Sequence, residues 1–148
     1  MCGIAGYFSV NNVFSPEELP AMANAIAHRG PDAEGFYSHG SVGLAHRRLS
    51  IVDLNPRSNQ PMTSQDGNFV ICYNGEVYNF PELATKYNLT LRTHSDTEVI
   101  LELFAKIGPS CVNEFNGMFA IAIYDIQKET LHIFRDRIGI KPIYYFYD

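Results

Sequence analysis

Cysteine is scarce in this sequence. The three cysteines, Cys2, Cys72 and Cys111, are an odd number, lie far apart and include no C-x-x-C pair. This spacing favours neither a disulfide framework nor a zinc site. The five histidines also include no pair at metal-ligand spacing, so we expect no metal in this domain.

Long apolar runs and an excess of basic charge are also missing. The longest apolar run, residues 118–124, is far shorter than the roughly 20 residues of a membrane-spanning helix, and the N-terminus lacks the regions of a signal peptide. The 16 acidic and 11 basic side chains give a net charge of -5, which does not suit a polyanionic partner. We therefore expect a cytoplasmic protein that binds neither membranes nor nucleic acid.

The length of 148 residues predicts a single domain with one sizeable core. Apolar patterns and turn residues predict strands at 3–10, 35–38, 42–46, 49–52, 68–73, 118–124, 130–134 and 142–147. Helices are expected at 16–27, after Asn79, and from a capping box at 95–98 to the Gly-Pro stop at 108–109. The pair Asn74-Gly75 indicates a turn, and residues 53–67 form a long loop of the kind that often covers a site.

Every residue of the predicted strand 118–124 is apolar, which indicates that both of its faces are covered. Strands cluster towards both ends of the chain and helices lie between them. A strand buried on both faces requires a further layer on each side. The sequence therefore predicts an α+β fold built as a layered sandwich.

Cys2 is the first residue with a chemical signature. Removal of Met1 would leave a thiol and a free α-amine on one residue, so that nucleophile and base are combined. The amine, with a reference pKa of about 8, is suited to accept the thiol proton directly or through water. Taken alone, Cys2 is better explained as a small buried hydrophobe at the start of a strand.

Five motifs then occur in a fixed order along the chain. The opening M-C-G-I-A-G at 1–6 resembles the start of class II glutamine amidotransferases, which have the N-terminal-nucleophile hydrolase fold. The motifs H-R-G-P-D at 28–32, H-R-R-L-S-I-V-D at 46–53, Y-N-G-E-V-Y-N at 73–79 and S-D-T-E-V at 95–99 resemble those of glutamine-dependent asparagine synthetases. The resemblance extends through R-D-R-I-G-I-K-P at 135–142 and implies an αββα sandwich whose C-terminal strands are missing from this chain.

The resemblance also implies a role for each motif. Cys2 would be the nucleophile, and Asn74 with Gly75 would stabilise the oxyanion through a side-chain and a backbone N–H. Arg48 would bind the α-carboxylate of glutamine and Asp96 its α-ammonium group. The remaining substrate-binding positions would be Leu49, Ser50, Ile51, Val52 and Glu76.

These residues also have ordinary structural interpretations. Arg48 would be a solvated cation at a strand end, and Asp96 a charge in the first turn of a helix, where it favours the dipole by about 0.3–1 kcal/mol. Asn74-Gly75 would be a turn before a helix. His28 and Arg29 are interpreted as structural support, residues 135–137 as an ion network that shapes a loop, and Cys72 and Cys111 as inert core thiols.

The implied reaction is hydrolysis of L-glutamine to glutamate and ammonia through a cysteine thioester. In the family, an ATP-dependent synthetase domain uses the ammonia to convert aspartate to asparagine, and its pyrophosphate loop, S-G-G-x-D-S, is not found here. We therefore expect no cofactor in this glutaminase domain at 1–148, with ATP and Mg needed only by a synthetase partner. The aromatic tail suggests self-association. Two alternatives remain, a non-catalytic glutamine-binding or assembly module and a different N-terminal-nucleophile amidase.

Overall fold

The computed structural model describes residues 2–11, 13–50 and 55–147. Two antiparallel sheets form the centre of the described fold. The first sheet contains β1 (Gly3–Phe8), β2 (Ala33–His39) and β3 (Val42–Arg48) in the order β1-β3-β2. The second contains β4 (Met62–Thr63), β5 (Phe69–Val77), β6 (Gly117–Asp125) and β7 (Thr130–Arg135) in the order β4-β5-β6-β7.

Helices cover the outer faces of the two sheets. The helices are α1 (Leu19–Ala25), α2 (Phe80–Lys86) and α3 (Asp96–Ile107), and single 3-10 segments occur at Pro16–Glu18, Ala27–Arg29, Pro56–Ser58 and Gly108–Glu114. Leu19 and Ala23 of α1 pack on the first sheet against Tyr7 and Ala45. Helix α3 packs on the far face of the second sheet. The order of layers is therefore helix, sheet, sheet, helix, as predicted.

Strand β6 is buried on both faces, which confirms the interpretation of its apolar run. Phe119, Ile121 and Ile123 face the core that β5 and β6 share with α2 and α3. Tyr124 faces the opposite way and packs with Leu44 of the first sheet. Burial of apolar area on both sides makes this strand a centre of the hydrophobic stabilisation.

Helix α3 begins as the capping signal predicts. The Ser95 hydroxyl accepts a hydrogen bond from the Glu98 N–H at 3.3 Å. The Glu98 carboxylate, however, is fully buried and binds the backbone N–H groups of Arg92 and Thr93 at 2.7 to 3.0 Å. The Glu98 side chain thus holds the segment before the helix at Arg92 and Thr93. The sequence had instead predicted a capping box, in which Glu98 binds the Ser95 backbone.

The predicted turn at Asn74-Gly75 is wrong, because β5 continues through this pair to Val77. Asn74 lies opposite Ala120 and Gly75 opposite Phe119 on β6. A Cβ at Gly75 would lie 2.2 Å from the Met118 carbonyl oxygen. Glycine is needed here for close approach of two strands, and Gly75 does not have a positive φ.

Two further strand predictions are not matched. Leu49 and Ser50 lie beyond β3, because Asp32 binds this segment through its side chain and backbone, while Ile51 and Val52 lie outside the described residues. The predicted strand at 142–147 is irregular, and its aromatic side chains from Tyr144 to Tyr147 are 84–91% exposed. The predicted helix at 16–27 is likewise shorter, with 3-10 segments on both sides of α1.

The loop at 53–67 is more ordered than predicted where it is described. It contains the 3-10 segment Pro56–Ser58 and the short strand β4.

Within the described part of the chain, no helix has the length and apolar character needed to cross a membrane.

Candidate active site

Cys2 lies at the end of the first sheet, directly before β1. Strand β1 pairs with β3 so that Gly3 is opposite Arg47, which brings Cys2 beside Leu49. The Leu49 N–H donates to Cys2 Sγ at 3.4 Å, and the thiol lies 3.6 Å from the Leu49 carbonyl oxygen. The sulfur is half-buried and held at a defined position by backbone groups.

The loop at 28–32 supports this end of the sheet. Arg29 Nε donates to the Cys2 carbonyl oxygen at 3.0 Å. The Asp32 N–H donates to the Arg48 carbonyl at 3.0 Å, and its carboxylate accepts from the Ser50 N–H at 2.7 Å. A Cβ at Gly30 would come within 2.4 Å of the Arg47 backbone, so only glycine fits there. These contacts agree with the supporting role predicted for Arg29, and the role of His28 stays a prediction.

Three candidate side chains point into the space between the sheets. Ile4, Leu44 and Cys72 belong to the inter-sheet cluster. Because alternate residues of a strand share a face, Cys2, Arg48 and Asn74 are directed to the same side. Two contacts between the stacked sheets bring β3 and β5 close together. Cys72 Sγ lies 3.9 Å from the Ala45 carbonyl oxygen, and His46 Nε2 lies 3.2 Å from the Tyr73 carbonyl oxygen.

Arg48 is buried, so its interpretation as a solvated strand-end cation is wrong. Its side chain is only 6% exposed. Nη1 donates to the Asn59 Oδ1 at 2.5 Å and to the Asn55 carbonyl at 3.2 Å. The loop after β3 thus holds the guanidinium group in place through oxygen acceptors.

Gln60 joins that loop to the second sheet and to α3. Its Oε1 accepts from the Tyr73 N–H at 2.6 Å, and its Nε2 donates to Thr97 Oγ1 at 3.2 Å. No sequence motif singled out Gln60, and only its position in the long loop at 53–67 indicated that it could lie near a site. Gln60 is next to Asn59, so a short chain of contacts runs from Arg48 to the start of α3.

Asp96 is the first residue of α3 and is 7% exposed. Its Oδ2 accepts from the Tyr73 hydroxyl at 2.8 Å and from the Val77 N–H at 3.2 Å. Burial raises the pKa of Asp96, and these two hydrogen bonds oppose that rise. The result is a desolvated carboxylate that would gain from a cationic partner.

The free edge of β5 presents one backbone donor towards this region. Hydrogen bonding in an antiparallel pair alternates along the strand, and the N–H groups of Tyr73 and Val77 both point away from β6 to side chains. The N–H of Gly75, midway between them, therefore points the same way. Asn74 is 5% exposed, and its amide makes no hydrogen bond to another described residue.

Glu76 is exposed, unlike the other predicted site residues that the structure describes. It lies close enough to Asp96 for its charge to contribute, after burial, to the raised pKa of that carboxyl. Leu49 and Ser50 are half-buried beside Cys2 and Asp32. Among the described residues there is no cluster of three or more histidine, cysteine or carboxylate ligands for a metal.

His46 is a site neighbour that the sequence analysis did not select. It is 1% exposed and its Nε2 lies 3.2 Å from the Tyr73 carbonyl oxygen, whereas its Nδ1 has no hydrogen-bond partner among the described residues. Burial lowers its pKa to about 4, the hydrogen bond to Tyr73 opposes this, and the charge of Arg48 adds to the lowering. His46 is therefore neutral near pH 7. In the sequence, only the apolar residues that precede His46 in β3 indicate that it is buried.

The predicted ion network at 135–137 is replaced by backbone contacts. The buried Asp136 carboxylate accepts from the N–H groups of Phe119, Ile140 and Lys141 at 2.8–3.2 Å. Arg135 and Arg137 each donate to backbone carbonyls nearby. These residues shape the turn after β7 and do not contribute to the candidate site.

Comparison with known families identifies the domain that carries this candidate site. The model of the glutamine amidotransferase domain matches residues 1–148. The chain belongs to the glutamine amidotransferase family. The αββα sandwich is accordingly of the N-terminal-nucleophile hydrolase type.

Relatives of this glutamine amidotransferase domain include glutamine-hydrolysing asparagine synthetases. The chain is 44% identical to asparagine synthetase 2 of Bacillus subtilis, covering 98% of the chain and 20% of that protein. It is 40% identical to asparagine synthetase B of Escherichia coli, over 100% of the chain and 27% of that protein. It is also 36% identical to an enzyme named amidase chry2 of Gibberella zeae, over 98% of the chain and 25% of that protein. The chain thus spans about a quarter of these relatives.

Proposed function

We propose that this domain hydrolyses L-glutamine to L-glutamate and ammonia with Cys2 as the nucleophile. The observation that carries the proposal is the position of Cys2 Sγ, which is bound to the Leu49 backbone at the same end of the fold as Arg48. Membership of the glutamine amidotransferase family supports the choice of substrate.

In the proposed reaction, removal of Met1 frees the α-amine of Cys2, which takes the thiol proton directly or through water. Sγ then attacks the side-chain amide carbon of glutamine, and the carbonyl electrons move to oxygen. The side-chain amide of Asn74 and the N–H of Gly75 donate to this oxyanion. The Asn74 amide makes no hydrogen bond to another described residue, and the Gly75 N–H points away from β6.

Collapse of the tetrahedral intermediate breaks the carbon–nitrogen bond. The protonated Cys2 amine gives its proton to the leaving nitrogen, so ammonia departs and a γ-glutamyl thioester remains. Water then attacks the thioester and passes a proton back through the same amine, which releases glutamate and restores the thiol. The chemistry requires no metal or organic cofactor in this domain.

The two charged ends of free glutamine match two buried charges. Arg48 binds the α-carboxylate, a task suited to paired guanidinium donors, and Asp96 accepts from the α-ammonium group. Leu49 and Ser50 lie beside Cys2 and Asp32 and would contact the substrate, as would the exposed Glu76. Ile51 and Val52 are proposed as further substrate-binding residues from their motif alone. This pair of charges distinguishes a free amino acid from a simple amide.

We further propose that the ammonia feeds an ATP-dependent synthetase domain or subunit that amidates aspartate to asparagine. The names of the Bacillus and Escherichia relatives support this acceptor. ATP and Mg would act only in that partner. The name of the Gibberella relative, an amidase, makes hydrolysis of a different amide the alternative to test.

The decisive experiment combines ammonia release with intact-mass measurement. The protein should lose Met1, release ammonia from glutamine, and gain one adduct on Cys2 from a glutamine-mimicking electrophile. Cys72→Ala is the matched control, because burial raises the pKa of that thiol and keeps it unreactive. Glutamine binding without ammonia release would favour a non-catalytic binding module, and an adduct on Cys72 would contradict the assignment of the nucleophile.

A further inference from the structure

Tyr73 contacts three separate parts of the candidate site. Its N–H donates to Gln60 at 2.6 Å, its carbonyl oxygen lies 3.2 Å from His46 Nε2, and its hydroxyl donates to Asp96 Oδ2 at 2.8 Å. The side chain is 3% exposed, and its ring belongs to the core cluster under α3. The hydroxyl contact is the one that touches a residue proposed to bind substrate.

We propose that Tyr73 is a positioning residue for glutamine capture, whose phenol O–H orients the Asp96 carboxylate to receive the α-ammonium group. This inference rests on the proposed function, because it assigns Asp96 to the ammonium end of glutamine. Tyr73 itself does not touch the reacting atoms.

The geometry explains how one hydroxyl can set the orientation. The Tyr73 O–H and the Val77 N–H both meet Oδ2, so rotation of the carboxylate would break both hydrogen bonds. Oδ1 is then the oxygen better placed to accept from an incoming ammonium group. Without the hydroxyl, Oδ2 would lose the shorter of these two hydrogen bonds and keep the one from Val77 at 3.2 Å.

Electrostatics supports the same role. Burial and the nearby charge of Asp96 raise the pKa of Tyr73, so the phenol remains a hydrogen-bond donor throughout the useful pH range. Burial also raises the pKa of Asp96, and the Tyr73 hydroxyl is the largest influence in the opposite direction. Tyr73 therefore helps to keep the carboxylate ionised for a cationic partner.

Tyr73→Phe isolates this contact, because phenylalanine keeps the ring and its packing while removing only the hydroxyl. The matched control is Tyr124→Phe, which removes a hydroxyl from a tyrosine that is 1% exposed in the cluster between the sheets. Glutamine and glutaramate, an analogue that lacks the α-amino group, should be compared as substrates in the protein that carries this chain.

Loss of a hydrogen bond to a charged group predicts that Tyr73→Phe raises KM for glutamine by about 5- to 50-fold, with kcat nearly unchanged. Its kcat/KM for glutaramate should stay within about 2-fold of the unsubstituted protein, since no ammonium contact is lost. Tyr124→Phe should leave both substrates unaffected. An equal loss with both substrates would indicate a purely structural role and overturn the inference, as would an unchanged KM for glutamine.

A binding measurement separates this inference from the proposed reaction. In a Cys2→Ala background, calorimetry should show that adding Tyr73→Phe weakens glutamine binding by a similar factor of about 5 to 50. If glutamine bound with this difference but the unsubstituted protein released no ammonia, the reaction would be wrong and the role of Tyr73 would stand. If ammonia were released and the two variants bound glutamine equally, only the role of Tyr73 would fail.

Discussion

Nε2 of His46 lies 3.2 Å from the carbonyl oxygen of Tyr73, so a side chain of the first sheet is hydrogen-bonded to the backbone of the second. The two residues are separated by 27 positions in the sequence. The contact falls two residues before Arg48 on one strand and one residue before Asn74 on the other. It therefore aligns the two strands that carry a substrate-binding and an oxyanion-binding candidate.

The neutral state of His46 predicts a pH-dependent stability. Its pKa is about 4 in the folded chain and 6.5 in the reference state, so between these values the unfolded chain binds more protons. Stability from this group is present above about pH 6.5 and falls as pH decreases, by up to about 3 kcal/mol near pH 4.

Denaturant unfolding at pH 7 and pH 5 should therefore show a smaller pH slope for His46→Gln than for the unsubstituted chain. Subtracting one slope from the other cancels the contributions of the carboxylates and of the other titratable groups that both chains share. Identical slopes would show that His46 is not the responsible group.

The position of Cys2 at the N-terminus predicts a dependence on Met1 removal. An α-amine in a peptide bond to Met1 is no longer basic, so a form that retains Met1 should release no ammonia, as should Cys2→Ala. Both forms should fold normally, because the Cys2 side chain makes only weak sulfur contacts to Leu49 and both forms keep the Cys2 carbonyl that accepts from Arg29. Full glutaminase activity in a form shown by mass spectrometry to keep Met1 would refute the proposed base.

Asn74 and Arg48 should respond differently to substitution. Asn74→Ala removes an oxyanion donor and should lower kcat by about 10²–10³-fold with a smaller effect on KM. Arg48→Ala should mainly impair glutamine capture, by about 2–5 kcal/mol, because a desolvated ion pair is lost. Steady-state kinetics of ammonia release would test this contrast, and a reversed pattern would contradict the assigned roles.

Glu98 should be more important for stability than a surface carboxylate. Its carboxylate is 0% exposed and accepts from the N–H and hydroxyl of buried Thr93 and from the exposed Arg92 guanidinium, so Glu98→Ala leaves the Thr93 donors without their acceptor. We expect a loss of about 1–3 kcal/mol in the free energy of unfolding, the cost of buried donors left without an acceptor. Glu114→Ala, at the surface pair with Lys86, is the control and should lose much less stability, because solvent screens this pair. Similar losses in the two variants would exclude a special role for Glu98.

The exposed aromatic segment after β7 predicts self-association of this chain. Tyr144, Tyr145 and Phe146 are 84–91% exposed, and contiguous apolar patches of this kind tend to bind other surfaces. Replacing all three with serine should reduce association in sedimentation velocity without lowering the thermal midpoint. A monomeric unsubstituted chain at high concentration would disprove this expectation.

Local sequence signals determined much of this protein. The Ser95 cap, the helical stripe that follows it and the continuous apolar run of β6 predicted elements that the structure contains, because each depends on residues close together in the chain. The ordered motifs similarly identified the family and selected Cys2 as the candidate nucleophile.

Only the tertiary structure decided how the candidate site is assembled. Pairing with β6 keeps Asn74 and Gly75 within β5, although this residue pair locally favours a turn. Arg48 is buried, although its position at a strand end predicted a solvated side chain. The contacts of Tyr73 with Gln60 and Asp96 span 13 and 23 positions. Such partners depend on strand register and on the stacking of two sheets, which are settled by packing of the whole chain and leave no periodic signal in the sequence.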